Sequence, residues 1–128
     1  MKNKAQEITR ENIRTMVDVF YAKVLKDEML APFFVAKLGD DLQSEAWQTH
    51  LSTLRDFWAS LTLGDTSYRG QPVKPHMHME GLEAATFTRW LTLFFETVES
   101  LYCEDAASVF KARAEMIATN FMRMLGLQ

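Results

Sequence analysis

The sequence predicts an all-α fold in which two helix pairs pack face to face around a slot. Apolar residues recur at intervals of three and four along four long segments, the spacing that places them on one face of a helix. Glycine and proline are scarce, with five and three among 128 residues, and no Asn-Gly or Asp-Gly hairpin signal occurs. The length and the 48% apolar composition predict a single domain over 1–128, in which we expect 1–8 to be a flexible extension.

The first helix is predicted from about Arg10 to Leu30, with Thr9 as its N-cap. Ala31-Pro32 breaks this helix, because proline has no amide proton and clashes with the preceding turn, and Phe33-Phe34 opens a corner. The predicted inward face comprises Ile13, Met16, Val17, Phe20 and Val24, with Tyr21 beside it.

The second helix is predicted to begin near Ser44. One face is formed by Trp47, Leu51, Leu54, Trp58 and Leu61, and the adjacent stripe by His50, Leu54 and Phe57. A turn-rich connection follows from Gly64 to Pro75.

The third helix is predicted over about Glu83–Tyr102 and the fourth over about Asp105–Leu125. Acidic side chains at the start of the fourth helix favour its dipole. The inward residues expected are Phe87, Trp90, Leu91, Phe94, Val98 and Leu101 in the third helix, and Val109, Ala112, Met116, Ile117, Phe121 and Met124 in the fourth.

Composition argues against several classes of protein. The net charge of −3 gives no basic footprint for nucleic acid. The single Cys103 excludes an internal disulfide and suits a reducing compartment. No signal peptide is visible, and the apolar runs are too short to span a membrane. We therefore expect a cytoplasmic protein with neither a nucleic-acid nor a membrane partner.

His76 is the leading candidate for a functional residue, because Pro72 and Pro75 stiffen the backbone that presents it. Neutral imidazole is a common ligand of iron, zinc and copper. A rigid imidazole between apolar helices suits an iron porphyrin, whereas the alternative is a histidine in a solvent-exposed loop. His78 would point to the opposite side of an extended segment, which disfavours chelation by both rings. A zinc site that includes His50 or Cys103 has no supporting ligand spacing.

Three polar groups lie on otherwise apolar helix faces: Tyr21, His50 and Trp90. Each alone is compatible with a core position in which the polar tip bonds to a nearby carbonyl group. Together with His76 they define a cavity with a metal ligand on one side and hydrogen-bond donors on the other. A helical interaction module without a cofactor is the remaining alternative.

The ordered motifs of the chain resemble those of the group III truncated haemoglobins from about Thr9 to Leu125. These motifs are Phe20-Tyr21-Ala22-Lys23-Val24, Ala31-Pro32-Phe33-Phe34, Trp47-Gln48-Thr49-His50, Phe57-Trp58, Gly70-Gln71-Pro72 with His76, and Arg89-Trp90-Leu91. The resemblance implies a shortened globin fold, a 2-on-2 sandwich of antiparallel helix pairs around haem b, which is iron protoporphyrin IX.

By this resemblance, His76 is the proximal iron ligand, and Tyr21 and Trp90 are distal hydrogen-bond donors to the gas ligand. His50 is the distal histidine and acts as a gate. Phe34 packs on the porphyrin at the corner, with Phe33 as its rival, and Leu54 and Phe57 line the pocket.

The implied function is reversible binding and transport of oxygen and related diatomic gases, carbon monoxide and nitric oxide. The alternative is a haem oxidoreductase, a nitric oxide dioxygenase or peroxidase-like protein that draws electrons from an external reductase. The same residues serve both functions, so the sequence leaves open whether the chain is an enzyme.

Overall fold

The computed structural model describes residues 4–65 and 81–127, and these ranges contain five helices. They are α1 (Arg10–Val24), α2 (Ala31–Leu38), α3 (Glu45–Leu63), α4 (Ala84–Leu101) and α5 (Glu104–Met124). The prediction of an all-α fold is confirmed, since only an isolated bridge between Ala5 and Tyr102 resembles strand pairing in the described ranges. His76, His78 and the two prolines before them lie outside the described residues.

The start and the inward face of α1 agree with the prediction. Thr9 and Asn12 form a reciprocal capping box, in which each side chain accepts a hydrogen bond from the other's backbone amide. Every residue of the predicted apolar stripe is buried: Ile13, Met16, Val17, Phe20 and Val24. This stripe packs against α3 and α4, so α1 lies at the centre of the fold.

The first helix was predicted to continue to Leu30, and that end is wrong, because α1 stops at Val24. The carboxylate of Asp27 accepts hydrogen bonds from the amides of Met29 and Leu30, which replaces the helical pattern with a local turn. A short helix, α2, then begins at Ala31 with Pro32 in its first turn, where a missing amide proton costs nothing. The predicted break is therefore real, but it separates two helices.

The start of α3 agrees with the prediction, since Ser44 is its N-cap and accepts a hydrogen bond from the amide of Trp47. The helix ends at Gly64, whose φ of 72° is the left-handed conformation that glycine adopts readily. Two sets of ion pairs tie α3 to α1. Arg10 contacts Asp56 at 2.8 Å and Asp65 at 2.9 Å, and Arg55 contacts Asp18 at 2.9 Å. These partly exposed pairs contribute little stability individually, but they restrict the sliding of α1 along α3.

The bounds of α4 and α5 lie within one residue of the prediction, but the predicted inward face of α5 is wrong in large part. Val109, Met116 and Met124 are 40–60% exposed, and Ala112 is exposed as well. The buried face instead comprises Ala106, Ala107, Phe110, Ala114 and Ala118. Small alanine side chains let α5 approach α4 closely, so this face is buried although most of its side chains are smaller than Val109 and Met116.

Aromatic rings fill the space between the helix pairs. Phe94 of α4 stacks on Trp58 of α3, with centroids 4.8 Å apart, and on Trp90 one turn earlier, at 5.5 Å. Such contacts add stability beyond the area that they bury. No helix in the described parts of the chain has the length and apolarity that crossing a membrane requires.

The segment before α1 contacts the connection between α4 and α5. The amide of Ala5 donates to the carbonyl of Leu101, and the amide of Cys103 donates to the carbonyl of Ala5, both at 2.9 Å. Ala5 belongs to the segment expected to be flexible, and these two bonds attach it to the helical body. The thiol of Cys103 also lies 3.0 Å from the same Ala5 oxygen and can donate to it.

Candidate functional site

The last turns of α1 place the phenol of Tyr21 in an apolar pocket. Its ring makes edge contacts with Phe20 at 4.9 Å and with Phe34 at 5.5 Å, between centroids. Burial raises the pKa of Tyr21 above its usual range, because an apolar surrounding disfavours the phenolate. Tyr21 is therefore neutral at any physiological pH and keeps its proton as a hydrogen-bond donor.

The indole of Trp90, on α4, lies close to Tyr21. Both rings make edge contacts with Phe20, at 5.9 Å for Trp90 and 4.9 Å for Tyr21, between centroids. The indole N–H can only donate, and its presence acts to lower the pKa of Tyr21 against the larger effect of burial. The structure thus places two sequence-predicted donors beside each other.

His50 of α3 lies among three aromatic rings of the same pocket. Its ring centroid is 5.8 Å from that of Tyr21, 5.5 Å from Trp47 and 6.2 Å from Phe34. The indole N–H of Trp47 donates to the carbonyl of Gly39 at 2.8 Å, so this ring is fixed. His50 is half-buried and directed inward in this arrangement.

The two neighbouring phenylalanines of α2 have different surroundings. Phe34 stacks on Trp47, with a centroid distance of 5.9 Å and an interplanar angle of 27°, and contacts Tyr21 and His50. Phe33 instead lies beside Gly81, where an added Cβ would meet its ring at 3.7 Å. Phe34, and not Phe33, therefore belongs to the aromatic cluster of Tyr21, Trp47 and His50.

One stripe of α3 is only half covered by the described residues. It contains His50, Leu54 and Phe57, and Leu61 continues it one turn further. The nearby helix α2 is strongly apolar, yet it has no buried residue. Apolar side chains beside a few polar groups are typical of a cofactor site. These half-covered side chains are compatible with the porphyrin that the sequence predicts.

Trp47 was predicted only as a core residue, and its contacts with Tyr21, Phe34 and His50 were not predicted. The available signal was its position three residues before His50, which places both side chains on neighbouring parts of one helix face. The predicted stripe of the second helix did contain Trp47, but nothing in the sequence indicated that α2 folds back onto it.

The described residues contain no group of three or more His, Cys, Asp or Glu side chains that could hold a metal ion. Nothing in these ranges therefore supports the zinc alternative. The predicted iron ligand His76 and its neighbour His78 both lie outside the described residues. The structure thus brings together Tyr21, Phe34, His50 and Trp90, with Leu54 and Phe57 on the adjoining surface.

Comparisons with known proteins agree on one family. The chain is 37% identical over 122 residues to a group 3 truncated hemoglobin, ctb, of Campylobacter jejuni, covering 95% of this chain and 94% of that protein. It is also similar to the crystal structure of a group III truncated hemoglobin from Campylobacter jejuni. The TM-score is 0.89 at 36% identity, over 96% of this chain and 95% of that one. No family model matches the chain.

Proposed function

The chain belongs to the group III truncated haemoglobins, and we propose on that premise that it holds one haem b and reversibly binds oxygen and related diatomic gases. Membership implies haem, and the half-covered apolar surface of α2 and α3 is compatible with a porphyrin. His76 would hold the iron from the proximal side, in a segment that the sequence predicts to be stiffened by Pro72 and Pro75. Haem supplies the iron centre at which a diatomic gas is taken up.

The buried phenol of Tyr21, in contact with the rings of Phe34 and His50, is the observation that carries this proposal. Because burial keeps Tyr21 neutral, its O–H is retained as a donor to a ligand beside it. Oxygen bound here would take on negative charge, whereas carbon monoxide would take on much less. A donor in an apolar pocket therefore favours oxygen, since charge-assisted hydrogen bonds are stronger than neutral ones.

Absorption spectra of the purified protein, oxidised, reduced and with carbon monoxide, test the proposal. We expect one haem per chain, with a five-coordinate reduced state. A protein that takes up no haem when haem is supplied would contradict the proposal and would favour a helical interaction module.

The aromatic environment of His50 supports a role as a gate. Its ring lies inward against Tyr21 and Trp47, at the edge of the surface that the haem would cover. Rotation of the side chain would open a path without moving a helix. Permanent ligation of iron by His50 would give a six-coordinate low-spin spectrum without added ligand, and we do not expect that spectrum.

The same pair of donors would also suit a second function, the oxidation of nitric oxide or the cleavage of a peroxide, because both would place negative charge on a ligand that Tyr21 could stabilise. That function needs electrons from an external reductase. Consumption of nitric oxide by the protein with oxygen and a reductant, measured over many turnovers, separates it from simple gas binding. A cytoplasmic location and transport of oxygen stay predictions from the sequence.

A further inference from the structure

Asp27 is a nearly buried carboxylate that shapes the connection between α1 and α2. One carboxylate oxygen, Oδ2, accepts from the amide of Met29 at 3.2 Å and from the amide of Leu30 at 3.0 Å. The backbone of Asp27 is bonded too, since its amide donates to Val24 and its carbonyl accepts from Ala31. This residue therefore fixes the path of the chain between the helix that carries Tyr21 and the helix that carries Phe34.

The other carboxylate oxygen of Asp27 binds a guanidinium group from a distant part of the chain. Arg89 of α4 donates to Oδ1 through Nε at 2.7 Å and through Nη2 at 2.6 Å. The Asp27 side chain is 6% exposed and that of Arg89 43% exposed. A buried carboxylate is costly unless its hydrogen bonds are satisfied, so Asp27 holds Arg89 in one place more firmly than a surface pair would.

Arg89 immediately precedes Trp90, whose indole makes an edge contact with Phe20 beside Tyr21. Within α4, the indole of Trp90 stacks flat on Phe94, with an interplanar angle of 5°. A flat stack sets the plane of the indole ring, but it opposes sliding within that plane only weakly. The ion pair acts on the adjacent residue and so limits how far α4 can shift past α1 and carry Trp90 with it.

We propose that Asp27 and Arg89 are positioning residues of the gas site, whose ion pair fixes α4 relative to α1 and α2 so that the donors Trp90 and Tyr21 lie side by side in the pocket. This inference rests on the proposed function for its effect on gas binding. The effect on the placement of Trp90 beside Tyr21 does not depend on it. Neither residue touches the ligand, so each acts through the two aromatic donors.

The test compares Arg89→Gln and Arg89→Lys in the haem-loaded protein with Glu99→Gln as a matched control. Glu99 lies near the far end of α4 and forms an ion pair with Lys111 at 2.5 Å. Its removal takes away one ion pair of the same helix without involving the pocket. The first readout is the indole N–H nuclear magnetic resonance signal of Trp90 in the carbon monoxide complex, identified by its loss in Trp90→Phe.

We expect Arg89→Gln to shift or broaden the Trp90 signal and to accelerate oxygen dissociation by about three- to tenfold, the weakening of one charge-assisted bond. Carbon monoxide dissociation should change much less. Arg89→Lys keeps the charge without the planar fork and should restore part of both effects. Glu99→Gln should leave the signal and both rates unchanged.

A second arm asks whether the ion pair acts through Trp90. On a Trp90→Phe background, Arg89→Gln should have a smaller effect on oxygen dissociation than in the native protein, because the donor that it displaces is gone. Equal effects on both backgrounds would overturn the proposal. So would a native Trp90 signal in Arg89→Gln accompanied only by a loss of stability, since the pair would then be purely structural.

Failure of the proposed function has a different outcome. If Tyr21→Phe itself leaves oxygen dissociation unchanged, the donor function is wrong, whereas the Trp90 signal still reports on the ion pair. Should Arg89→Gln fail to fold, the test rests on Arg89→Lys and its Trp90 signal. A native Trp90 signal together with native oxygen dissociation in Arg89→Lys would show that the planar guanidinium group is not needed, which would contradict the proposal.

Discussion

Tyr21→Phe is the substitution that probes the proposed gas site most directly. The ring of Tyr21 is enclosed by Phe20, Phe34 and Trp47 at centroid distances of 4.9–5.8 Å. A phenylalanine ring keeps these contacts, so the substitution removes the hydroxyl and leaves the packing nearly intact. Any change in gas binding can then be assigned to the lost O–H.

The expected magnitude follows from the hydrogen bonds of the hydroxyl. A charge-assisted bond contributes roughly 1–3 kcal/mol, which corresponds to oxygen dissociation faster by about 5- to 150-fold. The indole of Trp90 stays beside the site and can donate to the gas itself. This compensation should keep the change near the lower end, about tenfold.

The assay is stopped-flow dissociation of oxygen and of carbon monoxide from the reduced protein. Tyr102→Phe is the matched control, because Tyr102 is also buried and donates to Asn12 Oδ1 at 2.8 Å, outside the aromatic cluster of Tyr21. Tyr102→Phe should lose about 1 kcal/mol of unfolding free energy, the usual value for a buried hydrogen bond. Only Tyr21→Phe should accelerate oxygen dissociation. Equal acceleration of oxygen and carbon monoxide dissociation, or the same acceleration in Tyr102→Phe, would refute the assignment of the Tyr21 O–H as a donor to oxygen.

Three further predictions address the iron ligand, the gate and acid stability. His76→Ala should lose haem or its five-coordinate reduced spectrum while His78→Ala keeps both, and the reverse result in the absorption spectra would assign the ligand to His78. His50→Ala should speed carbon monoxide association in rapid mixing and remove its pH dependence near ~6.5, where imidazole ordinarily titrates; unchanged rates at every pH would exclude a gate. The third concerns Asp27: burial acts to raise its pKa, but the hydrogen bonds from Arg89 and from backbone amides outweigh burial and lower it. The ionised carboxylate should therefore stabilise the folded protein above the pKa of Asp27 in the unfolded chain, ~3.9. This stabilisation should be lost as pH falls through the lower pKa that Asp27 has in the folded protein. Urea unfolding from pH 5 to pH 2 should show a smaller acid loss in Asp27→Asn than in the native protein, and an identical loss would contradict the role of this carboxylate.

Much of the fold was predictable because the relevant signals are local. The apolar stripe of α1 predicted its buried face correctly, since a period of three and four residues fixes a helix face whatever it packs against. Thr9 was identified as a cap, and the start of the second helix was placed near Ser44, because capping needs only a side chain and the next turn. The polar candidates Tyr21 and Trp90 were found as isolated polar groups on apolar faces.

The sequence by itself thus determined the helix positions, their main faces and the set of candidate residues, and tertiary structure decided how these meet. Alanine-rich packing of α5 on α4 depends on how closely two helices approach, and this left Val109 and Met116 exposed against expectation. The end of α1 depends on the carboxylate of Asp27, whose burial becomes favourable only when Arg89 of a distant helix reaches it. Contacts between residues far apart in the chain have no local periodicity, and for that reason only the folded structure could place them.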